Sequence, residues 1–151
     1  MVLFCCINIQ SFKILTYMNP IYLTEKDFQR LHALVQAQRQ VSGAHTVAAL
    51  SQELKRAQVV ASEEIPEDVV TMNSLVKLRE LKSGAQMEVT VVYPKDADLS
   101  KFKISVLAPV GTSILGCKVG DQVERPGPKG TVVYEVMEVL YQPEAAGDLN
   151  L

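Results

Sequence analysis

Two segments between residues 24 and 61 carry apolar side chains at the spacing of an amphipathic helix. In the first segment three apolar residues recur three and four positions apart, and in the second four residues do so. These positions are Phe28, Leu31 and Val35, followed by Val47, Leu50, Leu54 and Ala57. Thr24 and Thr46 are the predicted N-caps, and residues 41–45 form a break. The pattern predicts a short antiparallel helical hairpin, a miniature coiled coil, over residues 20–61.

The pattern changes after residue 68 to an alternation of apolar and polar residues, which is typical of half-buried strands. Strands are predicted over residues 69–72, 75–80, 86–93, 103–107, 122–125 and 131–141. Turns rich in Gly, Pro and Asp separate several of them. One short helix is predicted over residues 112–115. The predicted fold class is therefore α+β, with the helical hairpin followed by a bent antiparallel sheet around one short helix, an FKBP-like arrangement.

The two parts meet at an acidic linker, residues 62–68, in which Pro66 prevents a helix from continuing. The second domain is predicted to span residues 69–151. Residues 1–18 lie before the hairpin and are apolar, but polar residues interrupt them and they are shorter than the ~20 residues of a spanning helix. They also lack the features of a secretory signal. We expect Met18 to be the true start, and residues 1–17 to be a misassigned extension or a loose tail.

The charge of the chain and its cysteine and histidine content limit the range of possible functions. The formal net charge of the 151 residues is −2, which argues against a general nucleic-acid-binding protein. Residues 62–151 hold nine basic and fourteen acidic side chains, so this half suits a basic protein surface better than DNA. Three cysteines without a CxxC pair and only two histidines make a zinc or redox site improbable. Free thiols fit a reducing cytoplasm, and no cofactor or metal is expected.

One stretch is highly specific: residues 104–121 read ISVLAPVGTSILGCKVGD. This stretch resembles the signature loop of the C-terminal domain of the Gre transcript-cleavage factors, and more closely the Rnk branch of that family, small regulators of nucleoside diphosphate kinase. Residues 64–74, EIPEDVVTMNS, and residues 141–148, YQPEAAGD, strengthen the likeness to that branch. The resemblance covers roughly residues 21–151, and it implies the same FKBP-like fold.

The resemblance also implies a contact surface. In Gre factors, residues just before and at the loop proline contact a coiled coil at the rim of the secondary channel of RNA polymerase. By position, Leu107, Ala108 and Pro109 match that contact, with Leu-Ala in place of the Asp-Ser found in some Gre proteins. Three neighbours extend the predicted polymerase-binding set, namely Val110, Gly111 and Thr112. The remainder of the signature is expected to pack into the core or to set turns, at Ile114, Leu115, Gly116, Gly120 and Asp121.

The predicted hairpin tip lacks carboxylates. Residues 28–52 contain no Asp or Glu, whereas Gre factors offer acidic side chains there that help to hold a second metal ion in the polymerase. The tip offers Arg39, Gln40, Ser42 and His45 instead, which do not ligate Mg²⁺ as a carboxylate does. These residues either touch nucleic acid or an acidic polymerase surface, or form a solvated helix end. Each helix is predicted to be about 15 residues, or about 22 Å, long.

These observations predict a non-enzymatic, cytoplasmic and monomeric regulator that binds RNA polymerase and competes with Gre factors without stimulating cleavage. It has no expected catalytic residue, no membrane association, and contact with nucleic acid at most through the polymerase complex. The resemblance further implies an effect on nucleoside diphosphate kinase. Two alternatives stay open: a true cleavage-stimulating factor, and a binding module for a different protein. The resemblance favours a hairpin that projects from the sheet, and apolar stripes of this kind also allow one folded onto it.

Overall fold

The computed structural model describes residues 21–43, 47–127 and 130–148. The helices within them are α1 Glu25–Ser42, α2 Ala48–Arg56, α3 Pro109–Ile114 and α4 Pro143–Ala146. The strands are β1 Tyr22–Thr24, β2 Gln58–Val60, β3 Leu75–Glu80, β4 Gln86–Val92, β5 Lys103–Ser105, β6 Gln122–Gly127 and β7 Gly130–Tyr141. Two short 3₁₀ turns, Pro94–Asp96 and Leu99–Lys101, lie between β4 and β5. The α+β class is confirmed; the FKBP-like likeness stays a prediction.

Five strands form the main sheet in the order β5-β4-β3-β7-β6. Neighbouring strands are antiparallel except at one edge, where β5 runs parallel to β4 with Val91 opposite Ile104. The prediction of a purely antiparallel sheet is therefore wrong for β5. Parallel neighbours need a crossing connection rather than a tight hairpin. Residues 93–102 provide that connection with their two 3₁₀ turns.

The strand predicted at residues 69–72 is also absent. Val69 makes only an isolated bridge with Lys118. The chain then turns at Asn73, which has a φ of 65° and donates its amide to the carbonyl of Val91 at 2.7 Å. Residues 69–72 are buried, but the turn at Asn73 prevents them from forming a strand that pairs with the sheet.

The first helix begins where the sequence indicates. The Oγ1 of Thr24 accepts a hydrogen bond from the amide of Asp27 at 3.1 Å, which satisfies one of the free donors of the first turn. The helix spans 18 residues, about 27 Å, whereas α2 spans only 9, about 14 Å. The expectation of two equal helices is thus wrong, because the chain leaves α2 at Arg56 to enter β2.

A two-stranded parallel ladder, not predicted from the sequence, joins the two ends of this helical segment. Tyr22 lies opposite Gln58, and the amide of Gln58 donates to the carbonyl of Ile21 at 2.8 Å. Because the two strands run parallel, α1 starts at one end of the ladder, after Thr24, and α2 ends at the other end, before Gln58. The ladder therefore ties the two ends of the helical segment together, and the helical hairpin itself stays a prediction.

The apolar stripes of both helices are buried in one core that they share with the sheet. The helix residues of this core are Leu31, Val35, Val47, Leu50 and Leu54, and the sheet residues include Val76, Leu78, Val89 and Val91. Phe28 and Ala57 pack partly against it. The stripe positions are thus confirmed, but the base of the hairpin is not a separate coiled coil. Its apolar faces pair with the sheet because two short helices bury too little surface alone.

The signature stretch supplies the middle of that core. Ile114 and Leu115 are fully buried, as predicted. Gly116 has a φ of +77°, and a Cβ there would lie 2.7 Å from the Cβ of Ile21, so only glycine fits. Asp121 closes the following turn by accepting the amide of Lys118 at 2.9 Å. The structural roles expected for these residues are confirmed.

A core shared between the helices and the sheet must unfold as one unit. We expect Leu50→Ala, which removes a fully buried side chain of α2, to lower the free energy of unfolding by about 3 kcal/mol. Denaturant curves followed by far-UV circular dichroism and by tyrosine fluorescence should shift together. Leu81→Ala, at a side chain 39% exposed, is the control and should change little. Loss of the helical signal ahead of the fluorescence change would contradict a shared core.

Candidate docking surface

The signature loop leaves the edge strand β5 through a turn that fixes its shape. The carbonyl of Ser105 accepts from the amide of Ala108 at 2.9 Å, and its Oγ accepts from the amide of Leu107 at 3.1 Å. Pro109 then starts α3 at its first position, where the missing amide costs nothing. The helix therefore begins three residues before the predicted residue 112. The result is a rigid loop on an open sheet edge.

The six predicted contact residues fall into two groups. Pro109 is exposed, and Leu107, Ala108 and Val110 are half-buried, so all four present some surface. Gly111 and Thr112 are buried. The second pair therefore lies behind the first and offers no side chain to a partner.

Gly111 and Thr112 instead hold the loop against β5. A Cβ at Gly111 would lie 2.3 Å from the carbonyl oxygen of Ser105, so α3 sits directly on the end of the strand. The Oγ1 of Thr112 donates to the carbonyl of Val106 at 2.5 Å, and its amide donates to the carbonyl of Ala108 at 2.9 Å. These contacts determine where Pro109 points.

The end of α1, at the tip of the predicted hairpin, is a second candidate surface. Arg39, Gln40 and Ser42 are exposed on the last turn of α1. His45 lies outside the described residues. Val41 is 81% exposed between them, so this end of the helix presents a mixed polar and apolar face without a carboxylate. The tip residues lie at the end of α1 and the signature loop lies at the start of α3.

The described residues offer neither a metal-binding cluster nor a reactive cysteine. Residues 21–43, 47–127 and 130–148 contain no group of three His, Cys, Asp or Glu side chains that could hold a metal ion. The Sγ of Cys117 donates to the carbonyl of Ser113 at 3.3 Å, and burial raises the pKa of this thiol to about 12. A thiol with such a pKa is a weak nucleophile. Among the helices described, none is both long and apolar enough to cross a membrane.

A cluster of acidic and hydroxyl groups, which the sequence did not reveal, connects α1 to the rest of the fold. The Oδ2 of Asp27 accepts from the amide of Met72 at 3.3 Å, across 45 residues of sequence. The adjacent Thr71 donates its hydroxyl to the Oε2 of Glu144 in α4 at 2.7 Å and shares a 2.8 Å hydrogen bond with Ser74. The turn at residues 71–74 is therefore held between α1 and α4. A Thr-x-x-Asp pattern predicts only a capping box, so the sequence does not reveal the contact of Asp27 with Met72.

Burial makes Asp27 an unusual acid. Its side chain is 5% exposed, and desolvation raises its pKa from the ordinary value of 3.8 to about 6, with the negative charge of Glu144 adding to the effect. The amide of Met72, the hydroxyl of Thr24 and the charge of Arg30 act in the opposite direction and only partly offset it. The native state therefore binds a proton at Asp27 more tightly than the unfolded chain does.

A groove lies beside this cluster, away from the signature loop. It has a volume of about 850 Å³ and runs between α1 and the end of β4. Its lining includes Arg30, Leu34, Asn73, Tyr93 and Lys95. Burial raises the pKa of Tyr93, so its phenol stays neutral. The groove marks the seam between hairpin and sheet, and it contains none of the residues singled out for polymerase binding.

Comparison with known proteins bears on both halves of the chain. A family model for the GreA/GreB transcription elongation factor C-terminal region matches residues 65–141, and one for the Rnk N-terminus matches residues 19–60. The chain is 44% identical over 132 residues to the regulator of nucleoside diphosphate kinase from Escherichia coli, covering 87% of this chain and 96% of that protein. It is 38% identical over 93 residues to the transcription elongation factor GreA of Syntrophomonas wolfei, covering 62% and 58% of the two chains.

Comparison with solved structures agrees with the sequence comparison. A solved prokaryotic transcription elongation factor GreA/GreB from Nitrosomonas europaea is 43% identical, has a TM-score of 0.68, and covers 80% of this chain and 99% of that one. The chain belongs to the GreA/GreB family of transcription elongation factors, and within that family to the Rnk group.

The support that Thr112 gives to the loop can be tested by Thr112→Val. The substitution keeps the shape but removes the hydroxyl that satisfies the buried carbonyl of Val106, so we expect a loss of about 1–2 kcal/mol in the free energy of unfolding. Ser113→Ala, at the neighbouring and less buried hydroxyl, should cost clearly less. Chemical denaturation of both variants is the measurement, and equal losses would contradict the assignment.

The raised pKa of Asp27 predicts a pH-dependent stability. The stabilising contribution of proton binding is fully present below about pH 4 and is lost as the pH rises through about 6. Compared with Asp27→Asn, the native protein should therefore lose about 1.5 kcal/mol of stability between about pH 5 and pH 7.5. Denaturant titrations at several pH values measure this difference. Glu25→Gln, an exposed acid of the same helical turn, should retain the native pH dependence; parallel curves for Asp27→Asn and the native protein would contradict the prediction.

Proposed function

We propose that this protein regulates transcription by binding RNA polymerase near its secondary channel through the surface of Leu107, Ala108, Pro109 and Val110. The single observation that carries the proposal is the signature loop: an exposed proline at a helix start, flanked by half-buried apolar residues and held by buried contacts on an open sheet edge. The buried core of a protein interface is more apolar than its rim, and a small apolar surface of this kind suits such a core. We infer RNA polymerase as the partner because the chain belongs to the Gre family.

The protein acts there without stimulating transcript cleavage. Residues 28–52 hold no carboxylate that could help to bind a second metal ion in the polymerase active site. The described end of α1 offers Arg39, Gln40 and Ser42 instead. The hairpin thus occupies the channel entrance and competes with cleavage factors for the same site. It supplies no enzymatic activity of its own.

The cellular setting follows from the partner. A polymerase-binding regulator works in the bacterial cytoplasm as a monomer, and it touches nucleic acid at most within the polymerase complex. A curated relative is named as a regulator of nucleoside diphosphate kinase. An effect on that enzyme would then arise through transcription, since the surface proposed here serves the polymerase.

Retention of the protein on immobilised core RNA polymerase tests the proposal. Pro109→Glu places a charge at the centre of the surface while leaving a residue that the first turn of a helix favours, so the fold should persist. We expect its affinity for the polymerase to fall at least about tenfold, which is the loss expected when a hot spot is disrupted. Leu107→Asp should act in the same direction once its folding has been checked by circular dichroism.

Leu140→Asp provides the matched control, because Leu140 is 40% exposed on β7, three strands away from β5 in the sheet. It should bind like the native protein. Absence of native retention would favour a binding module for another partner. Release of short 3′ RNA fragments from a backtracked complex on adding the protein would establish the cleavage-factor alternative and overturn the second half of the proposal.

A further inference from the structure

The turn at residues 98–103 presents two large apolar side chains to solvent. Leu99 is 81% exposed and Phe102 is 63% exposed, and both exceed Leu81, Val59, Val119 and Leu140 in exposure, each of which is near 40%. Single exposed apolar residues are common on protein surfaces. Two of them at the ends of one 3₁₀ turn, where the amide of Phe102 donates to the carbonyl of Leu99 at 3.2 Å, form a single projecting feature.

The turn is rigid. Asp98 and Lys103 exchange two main-chain hydrogen bonds of 2.9 Å across its base. The Oδ1 of Asp98 accepts from both the amide and the hydroxyl of Ser100, at 3.0 and 2.6 Å, which caps the 3₁₀ turn and lowers the pKa of that carboxyl. A surface whose shape is fixed in advance loses little conformational entropy on binding.

The backbone conformation of Phe102 is energetically unfavourable. Its φ of 55° lies in the left-handed region, which favours glycine and asparagine and is unfavourable for a bulky residue. Its ring remains largely in water, so core packing does not offset that cost. Backbone outliers of this kind concentrate at functional sites.

Two observations indicate the partner. Residues 102 and 107 bracket the edge strand β5, so the turn and the signature loop lie about 16 Å apart along one sheet edge, at ~3.3 Å per residue. A helix of about three turns covers that distance. Residues 94–103 hold three lysines and two aspartates, a net charge of +1, whereas the rest of residues 62–151 has a net charge of −6. The local surface is therefore suited to an acidic helix that carries apolar residues.

We infer that the 98–103 turn is a second contact of the polymerase-binding surface, where Leu99 and Phe102 receive apolar side chains from an acidic helix of the polymerase. The inference rests on the proposed function and extends the docking surface from the signature loop along the whole of β5. The lysines of the turn attract the acidic helix electrostatically. Leu99 and Phe102 then bury their apolar side chains against it and stabilise the contact.

Phe102→Asn separates binding from folding. Asparagine tolerates the left-handed backbone, so the free energy of unfolding should stay the same or rise, whereas retention on core RNA polymerase should weaken at least about fivefold. Leu99→Ser should weaken retention to a similar extent. Lys101→Glu should also weaken it, and the difference from the native protein should shrink as the salt concentration increases.

Leu140→Ser removes a comparably apolar but distant side chain and should bind like the native protein. If Pro109→Glu lowers retention while Phe102→Asn and Leu99→Ser do not, the second contact is overturned and the proposed function stands. Stronger binding of Lys101→Glu would overturn the acidic character of the helix. Absence of retention of the native protein would remove the proposed function and, with it, this inference.

Discussion

The burial of the helix stripes against the sheet is the interaction on which the rest of this structure depends. Leu31 and Leu50 leave the water only because Leu78, Val89 and Ile114 lie on the other side of the same core. The nine residues of α2 are too few to hold a helix without such a surface, since short isolated helices are marginal in water. The position of the two helices relative to the signature loop is thus fixed by core packing rather than by a linker.

Much of this fold could be predicted from local patterns, and the failures share one cause. The spacing of Leu31 and Val35, the cap at Thr24 and the alternation in β3 depend on residues a few positions apart, and the structure confirms each of them. The parallel pairing of Val91 with Ile104 and the ladder of Tyr22 with Gln58 depend on contacts made across a loop or a hairpin. Periodicity alone carries no information about which strand is a neighbour.

In the candidate site, too, local features could be predicted from the sequence and features that depend on distant contacts could not. The resemblance of residues 104–121 to the Gre signature led directly to the loop around Pro109, because the motif is contiguous in the sequence. It did not indicate that Thr112 is buried and donates to the carbonyl of Val106 just after β5, nor that Phe102 stays in water. Burial is a property of the whole chain. Asp27 illustrates this most clearly, since its hydrogen-bond partner at Met72 is 45 residues away.

The ladder of β1 and β2 gives the helical arm a modular character. Its entry and exit points lie on adjacent strands, which are about 4.8 Å apart in any sheet, and the shared core involves α1 only as far as Val35. Residues beyond that point can be inserted or deleted in matched pairs without moving the sheet. An arm built in this way can change its reach during evolution while the platform that carries it stays the same, so arms of very different length can be served by one type of base.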